Sequence, residues 1–219
     1  MLEEEHYDAI SHQIRPGDVI AFGGNSLFSR WAKFTSDSVV THVAIVMQTN
    51  VFDASTGSYF NQVIEATTYN GERGVMLNKL CDRVNTYRGD MWWLPLGDEA
   101  RNDFELNKNS FFTFMFAQDG EAYDIRQLFG SVVDAFDDHP VFGPLTYNQE
   151  DFTRWFCSEL VAQGLKQAGV INGVNASEVT PIDICRFAIF EEKYVQVKGE
   201  SKHIVGFNRI PPNNWGQIA

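Results

Sequence analysis

The chain has 219 residues, of which 44% are hydrophobic and 21% charged, and 29 acidic against 17 basic side chains give a formal net charge of −12. A chain of this length and composition can bury a sizeable core, which argues against a disordered protein. The negative charge disfavours nucleic acid as a partner, and three widely spaced cysteines without a CxxC pair argue against a disulfide framework and a structural zinc site.

The first half of the chain is predicted to form a sheet. The opening dozen residues are polar and are expected to fray or to form a short helix. Beyond them, short apolar or β-branched runs predict strands, and two glycines end the first of these runs. Apolar residues at helical spacing predict one helix, over 27–34, between the first two strands. The predicted strands are 19–22, 41–47, 62–66, 74–77 and 91–96.

The second half is predicted to be mainly helical. Apolar residues at helical spacing indicate three helices, and Gly169 stands just past the last of them, where glycine commonly follows a helix. A loop rich in Pro and Gly separates the second helix from the third, and one late strand follows. The helices are predicted over 100–118, 125–136 and about 150–168. The loop is predicted over 137–148 and the late strand over 194–197.

Strands followed by helices predict an α+β fold. The length fits a single domain, 1–219, with a candidate insertion at 97–120. The acidic start lacks the basic and apolar segments of a signal peptide, and no apolar run is long enough to span a membrane. We therefore expect a cytoplasmic protein, although export by another route stays open.

Cys157 is the first candidate for a reactive residue because it lies in the run WFCSELV, early in the last predicted helix. The N-terminal end of a helix dipole favours the thiolate, which is the nucleophilic form of cysteine. The alternative is a core cysteine that packs as a small apolar side chain. Position on the helix alone does not decide between the two.

Two further side chains complete a candidate triad. His42 stands at the head of a β-branched strand, where it is either a base or a histidine satisfied by a backbone carbonyl. Glu65 lies in the apolar run VIEA, so its carboxylate is either paired in the interior or on the solvent face of an edge strand. A glutamate beside a histidine can hold the imidazole while the other ring nitrogen faces a thiol.

Five segments stand in a fixed order along the chain: GDVI at 17–20, SVVTHVAIV at 38–46, VIEA at 63–66, AYD at 122–124 and FCSELV at 156–161. This order resembles the circularly permuted papain-fold amidases and peptidases of the YiiX and YebB type, in the NlpC-like superfamily. In that family the segment with the histidine precedes the helix with the cysteine, the reverse of the order in papain-like enzymes. The matching segments fall within residues 15–165, with gaps.

The resemblance implies a permuted NlpC-type papain-like fold, with an antiparallel sheet packed on helices and the nucleophile at a helix N-terminus. It implies Cys157 as the nucleophile, His42 as the base and Glu65 as the residue that orients His42. Tyr123 matches the tyrosine of the family, which would help the Cys157 amide to hold an oxyanion. The alternative for Tyr123 is a packing role. The family usually has a proline before this tyrosine, whereas this chain has Ala122.

The resulting expectation is a cysteine hydrolase that cleaves an amide or ester bond through an acyl-enzyme. Its substrate is a peptide, a peptidoglycan fragment or a lipid, and no cofactor is expected. A metal site is not expected either, because His12, His139 and His203 lack the spacing of metal ligands. Two alternatives stay open: an acyltransferase or thioesterase of the lecithin:retinol acyltransferase-like type, and an inactive structural or interaction protein that keeps the fold.

Overall fold

A computed structural model of the chain describes residues 1–24, 39–120 and 149–213, without the side chains of 149–156. Within these ranges seven strands form one sheet in the order β1-β7-β6-β2-β3-β4-β5. The strands are β1 (Leu2–Glu4), β2 (Val19–Gly24), β3 (His42–Asp53), β4 (Ser58–Tyr69), β5 (Glu72–Lys79), β6 (Gly89–Leu94) and β7 (Tyr194–Lys198). The described helices are α1 (Tyr7–Ile10), α2 (Leu80–Thr86), α3 (Asp98–Gln118), α4 (Gln149–Gln167) and α5 (Pro181–Arg186).

The chain is α+β, as predicted, but its sheet is mixed. Neighbouring strands are antiparallel except for β1, which pairs in parallel with β7 through Leu2 opposite Tyr194 and Glu4 opposite Gln196. The predicted antiparallel sheet is therefore wrong at this edge. The polar opening residues carry no strand pattern of their own, and their pairing partners come from the other end of the chain, where a local pattern cannot find them.

Alternation along the central strands divides the apolar side chains between the two faces of the sheet. In β2, Val19 and Ala21 join the larger core, which also contains the buried side chains of α3 and α4. The alternate residues, Ile20 and Phe22, join a second core with α1 and α2. The sheet is thus the middle layer of the described molecule, with helices packed on both faces.

The segment 97–120, a candidate insertion by sequence, forms α3. Its side chains Phe104, Phe111 and Met115 are buried in the larger core. Close approach between α3 and α4 depends on Gly164, since a Cβ there would lie 3.0 Å from the sulfur of Met115. The segment therefore contributes to the same core as α4. The predicted helices 27–34 and 125–136 and the predicted loop 137–148 lie outside the described residues.

A buried carboxylate fixes the turn that leads into β2. Gly17 has a φ of +86°, which favours glycine, and a Cβ there would lie 2.6 Å from the ring of Phe104. Next to it, the fully buried Asp18 accepts hydrogen bonds from the Trp93 indole at 2.9 Å and the Leu96 amide at 3.1 Å. The Arg101 guanidinium forms an ion pair with the same carboxylate.

Replacement of Asp18 by Ala is expected to lower the free energy of unfolding by about 3–5 kcal/mol, because it leaves the buried Arg101 without a counter-charge. Denaturant unfolding of the purified variant measures the loss. The control is Glu105→Ala, which breaks the exposed ion pair with Lys108 and should change stability far less. Equal losses in the two variants would contradict the structural role of Asp18.

Candidate active site

The register of β3 and β4 brings His42 and Glu65 together. Ile45 pairs with Ile64, so Ala44 lies opposite Glu65, and His42 is the diagonal neighbour of Glu65 on the same face. The imidazole Nε2 is 2.7 Å from Oε2 of Glu65. The carboxylate is fully buried and the His42 side chain is 11% exposed. The open alternative of a solvent-facing glutamate therefore does not hold, because β4 lies inside the sheet between β3 and β5.

Cys157 completes the group from α4. Its side chain is fully buried, and its thiol hydrogen-bonds to the imidazole of His42. The imidazole, at the first residue of β3, thus interacts with both a thiol and a carboxylate. The helix and the strand meet here because α4 packs on β3 and β4 with its apolar side chains in the larger core.

The predicted place of Cys157 at a helix N-terminus is wrong. The helix α4 begins at Gln149, eight residues before Cys157. The effect of the helix dipole falls off within the first turn, and an amide this far inside a regular helix bonds to the carbonyl four residues earlier. The helix begins almost where the sequence predicted, at about 150, so it is the position of Cys157 within the helix that does not fit a helix N-terminus. The group beside Cys157 that can act on its thiol is therefore His42, not the helix end.

The site favours a positive imidazole and a negative carboxylate. Burial alone lowers the pKa of His42, but the charges and hydrogen bonds of Cys157 and Glu65 outweigh it and raise this pKa to about 9. Burial likewise raises the pKa of Glu65, yet the hydrogen bond and charge of His42, with Arg83 and Asn78, hold it below its usual value. Each group therefore stabilises the charged form of its neighbour.

Two residues that the sequence did not single out hold the carboxylate from behind. The Asn78 side-chain amide donates to Oε1 of Glu65 at 2.9 Å. The Arg83 Nη2 donates to Oε2 at 3.1 Å, while its Nε lies 2.7 Å from Oε1 as an ion pair without hydrogen-bond geometry. The only sequence signal was general: a carboxylate in an apolar strand needs a partner if it is buried.

Local contacts fix the backbone where β3 begins, at His42. The Thr41 amide donates to the Phe22 carbonyl at 2.8 Å, and the Thr41 hydroxyl accepts from the Gly24 amide at 3.2 Å. The Phe22 ring packs on the imidazole with 5.0 Å between centroids. These contacts join β2 to the start of β3, so the position of the imidazole is set by the sheet and not by a free loop.

The other predicted site features are placed as follows. Tyr123 lies outside the described residues. Cys185 is buried, its thiol donates to the Pro181 carbonyl at 3.3 Å, and burial raises its pKa. Cys81 is half-buried in α2, and burial raises its pKa too. Within the described ranges, no three His, Cys, Asp or Glu side chains are grouped as metal ligands, and no helix has the length and apolar character to cross a membrane.

Comparisons with known proteins add no assignment to this geometry. No protein-family model matches the chain, and no curated protein matches its sequence.

Proposed function

We propose that the chain is a cysteine hydrolase of the permuted, NlpC-type papain-like fold, and that it cleaves an amide or ester bond through an acyl-enzyme on Cys157. One observation carries this proposal: the His42 imidazole interacts with both the Cys157 thiol and the buried Glu65 carboxylate. This is the arrangement of nucleophile, base and orienting group that acyl transfer uses. The chain order is consistent with a permuted fold, since the strand with His42 precedes the helix with Cys157.

In the proposed reaction the Cys157 thiolate attacks the substrate carbonyl, and a carbon–sulfur bond forms. The His42 imidazolium then gives its proton to the departing amine or alcohol, and the bond to the leaving group breaks. In the second half, neutral His42 takes a proton from water, whose oxygen attacks the thioester and releases a carboxylic acid and the thiolate. Glu65 holds Nε2 throughout. Since the Cys157 amide lies inside α4, the oxyanion needs other donors, and Tyr123 stays the candidate.

One observation favours an inactive protein that keeps the fold: the Cys157 side chain is fully buried, as a packing residue would be. An acyltransferase or thioesterase would use the same three residues. Intact-mass measurement after incubation with small acyl esters and acyl amides tests all three functions. A mass gain on Cys157 that decays to free acid supports the hydrolase, whereas transfer of the acyl group to an added amine or alcohol supports the transferase. If no acyl donor forms an adduct, both the hydrolase and the transferase functions are contradicted.

The thiol of Cys157 is expected to react faster than that of Cys81 near neutral pH, although Cys81 is the more exposed. The imidazole of His42 lies beside the thiol of Cys157 and can take its proton, whereas burial and the charge of Asp82 raise the pKa of Cys81. Limited alkylation with iodoacetamide at about pH 6–7, followed by peptide mass mapping, measures the two rates. Faster labelling of Cys81 would favour a packing role for Cys157.

Turnover is expected to fall as the pH rises through about 9, because His42 then loses the proton that it gives to the leaving group. A profile of kcat/KM against pH measures this basic limb. The control is His42→Gln, which should lose most of its activity at every pH and show no basic limb at this position. A wild-type profile that stays flat above pH 10 would contradict the role of His42 as the acid.

A further inference from the structure

Arg83 is a buried cation on the carboxylate side of the site. It lies in α2 and is 6% exposed, and its guanidinium contacts both oxygens of Glu65. The oxygen that accepts from Arg83 Nη2, Oε2, is also the one that lies 2.7 Å from His42 Nε2. Arg83 and His42 therefore share one carboxylate oxygen, so a change at Arg83 reaches the imidazole through a single atom.

Three aromatic rings hold the guanidinium in place. Its carbon lies 4.6 Å from the ring centroid of Tyr69, 5.4 Å from that of Phe22 and 5.7 Å from that of Tyr87. A planar guanidinium can stack on such rings while it donates to a carboxylate, which a lysine ammonium cannot do. Phe22 also packs on the imidazole of His42. The same ring thus restricts both cations that hold Glu65.

We propose that Arg83 is a positioning residue of the site, which acts through Glu65 by keeping the carboxylate charged and directed at His42. The part of this inference that concerns turnover rests on the proposed hydrolase function. The part that concerns the charge of Glu65 does not, because it follows from the burial and contacts of the carboxylate alone.

Few groups face Glu65 from the elements packed around β4. His42 contacts it from β3, Arg83 from α2 and the neutral amide of Asn78 from β5. Tyr87, just after α2, is half-buried, and burial raises the pKa of its phenol, with a smaller contribution from the charge of Glu65. Without Arg83, the only charged group that contacts the buried Glu65 carboxylate among the described residues is the His42 imidazolium. The carboxylate would then compete with the imidazole for the proton of that imidazolium.

Loss of the Arg83 charge is therefore expected to let Glu65 take a proton at higher pH. Turnover needs the charged carboxylate behind His42, so protonation of Glu65 sets an acid limb of kcat/KM, and in Arg83→Met this limb should move up by one pH unit or more. In Arg83→Lys, which keeps the charge but not the planar fork, the limb should move by less than half of that shift. Arg83→Gln carries the same expectation as Arg83→Met and replaces it if that variant does not fold.

A matched control separates this effect from simple destabilisation. Arg101 is also buried, at 7% exposure, and pairs with the buried Asp18, just before β2. Arg101→Met should therefore lose stability much as Arg83→Met does, but its acid limb should stay at the wild-type pH. An equal shift of the acid limb in the Arg101 and Arg83 variants would overturn the inference, as would an equal shift in Arg83→Lys and Arg83→Met.

The decisive measurement does not depend on turnover. Carbon-13 labelling of glutamate carboxyls allows the Glu65 signal to be followed by NMR against pH, with the signal assigned by its loss in Glu65→Gln. The wild-type signal should not titrate between about pH 5 and 8, whereas in Arg83→Met it should titrate in that range. A Glu65 signal that is unchanged in Arg83→Met would overturn the proposal. If wild-type protein turns over no acyl donor while this shift is found, the hydrolase function fails and the role of Arg83 in holding the charge of Glu65 stands.

Discussion

Replacement of Cys157 by Ala is expected to lower turnover by at least about 10³-fold, because the variant lacks the sulfur on which the proposed acyl-enzyme forms. The fold should survive, since the side chain is small and buried among apolar neighbours and its replacement removes only one atom. Steady-state assays on an acyl ester, together with denaturant unfolding, measure the two effects separately. Retained turnover in Cys157→Ala would contradict the proposed nucleophile.

The other two cysteines provide the matched controls for this experiment. Cys185→Ala removes the same atom from an equally buried position, where the thiol donates to a backbone carbonyl in α5. Cys81→Ala removes it from a half-buried position in α2. Both variants should keep wild-type turnover per folded molecule. If Cys185→Ala lost as much turnover as Cys157→Ala, the loss would reflect core packing and not chemistry.

The strands could be predicted from the sequence, but their ends could not. The predicted runs 19–22, 62–66 and 74–77 all lie inside observed strands, since buried alternation leaves a local pattern. The β3–β4 hairpin extends well beyond its predicted runs, to Asp53 and Ser58. Its outer part is polar or exposed, with a register shift near Gln48, and Phe52 and Tyr59 at its end are exposed. Hydrogen bonds between the two strands stabilise this outer part of the hairpin. Such pairing cannot be read from a single local stretch of sequence.

The candidate triad could be proposed from the order of its segments, whereas the support of Glu65 could not. Asn78 lies opposite Val63, which makes it the diagonal neighbour of Glu65 on the β5 side, and this depends on the strand register. The contact of Arg83 with Glu65 depends on the position of α2, a short helix whose sequence has no clear apolar repeat. The sequence required a cation for a buried carboxylate, but its 17 basic residues did not indicate which one.

Replacement of Glu65 by Gln is expected to lower kcat/KM by about 10²–10⁴-fold, the range seen when an orienting carboxylate is made neutral. A glutamine amide fills the same space but presents a donor and no charge, so the cationic form of His42 loses its partner. Stability should also fall by about 3–5 kcal/mol, because Arg83 becomes a buried charge without a counter-ion. Activity assays and denaturant unfolding of the same preparation measure both losses.

A double variant separates these two consequences of losing Glu65. In Glu65→Leu with Arg83→Met, both charges of the buried pair are gone, and apolar replacement of a whole buried pair is often close to neutral for stability. The double variant should therefore regain most of the stability lost in Glu65→Gln. Its turnover should stay low, since neither new side chain can accept a hydrogen bond from Nε2 of His42. If turnover returned together with stability, Glu65 would be needed for folding and not for the chemistry of Cys157 and His42.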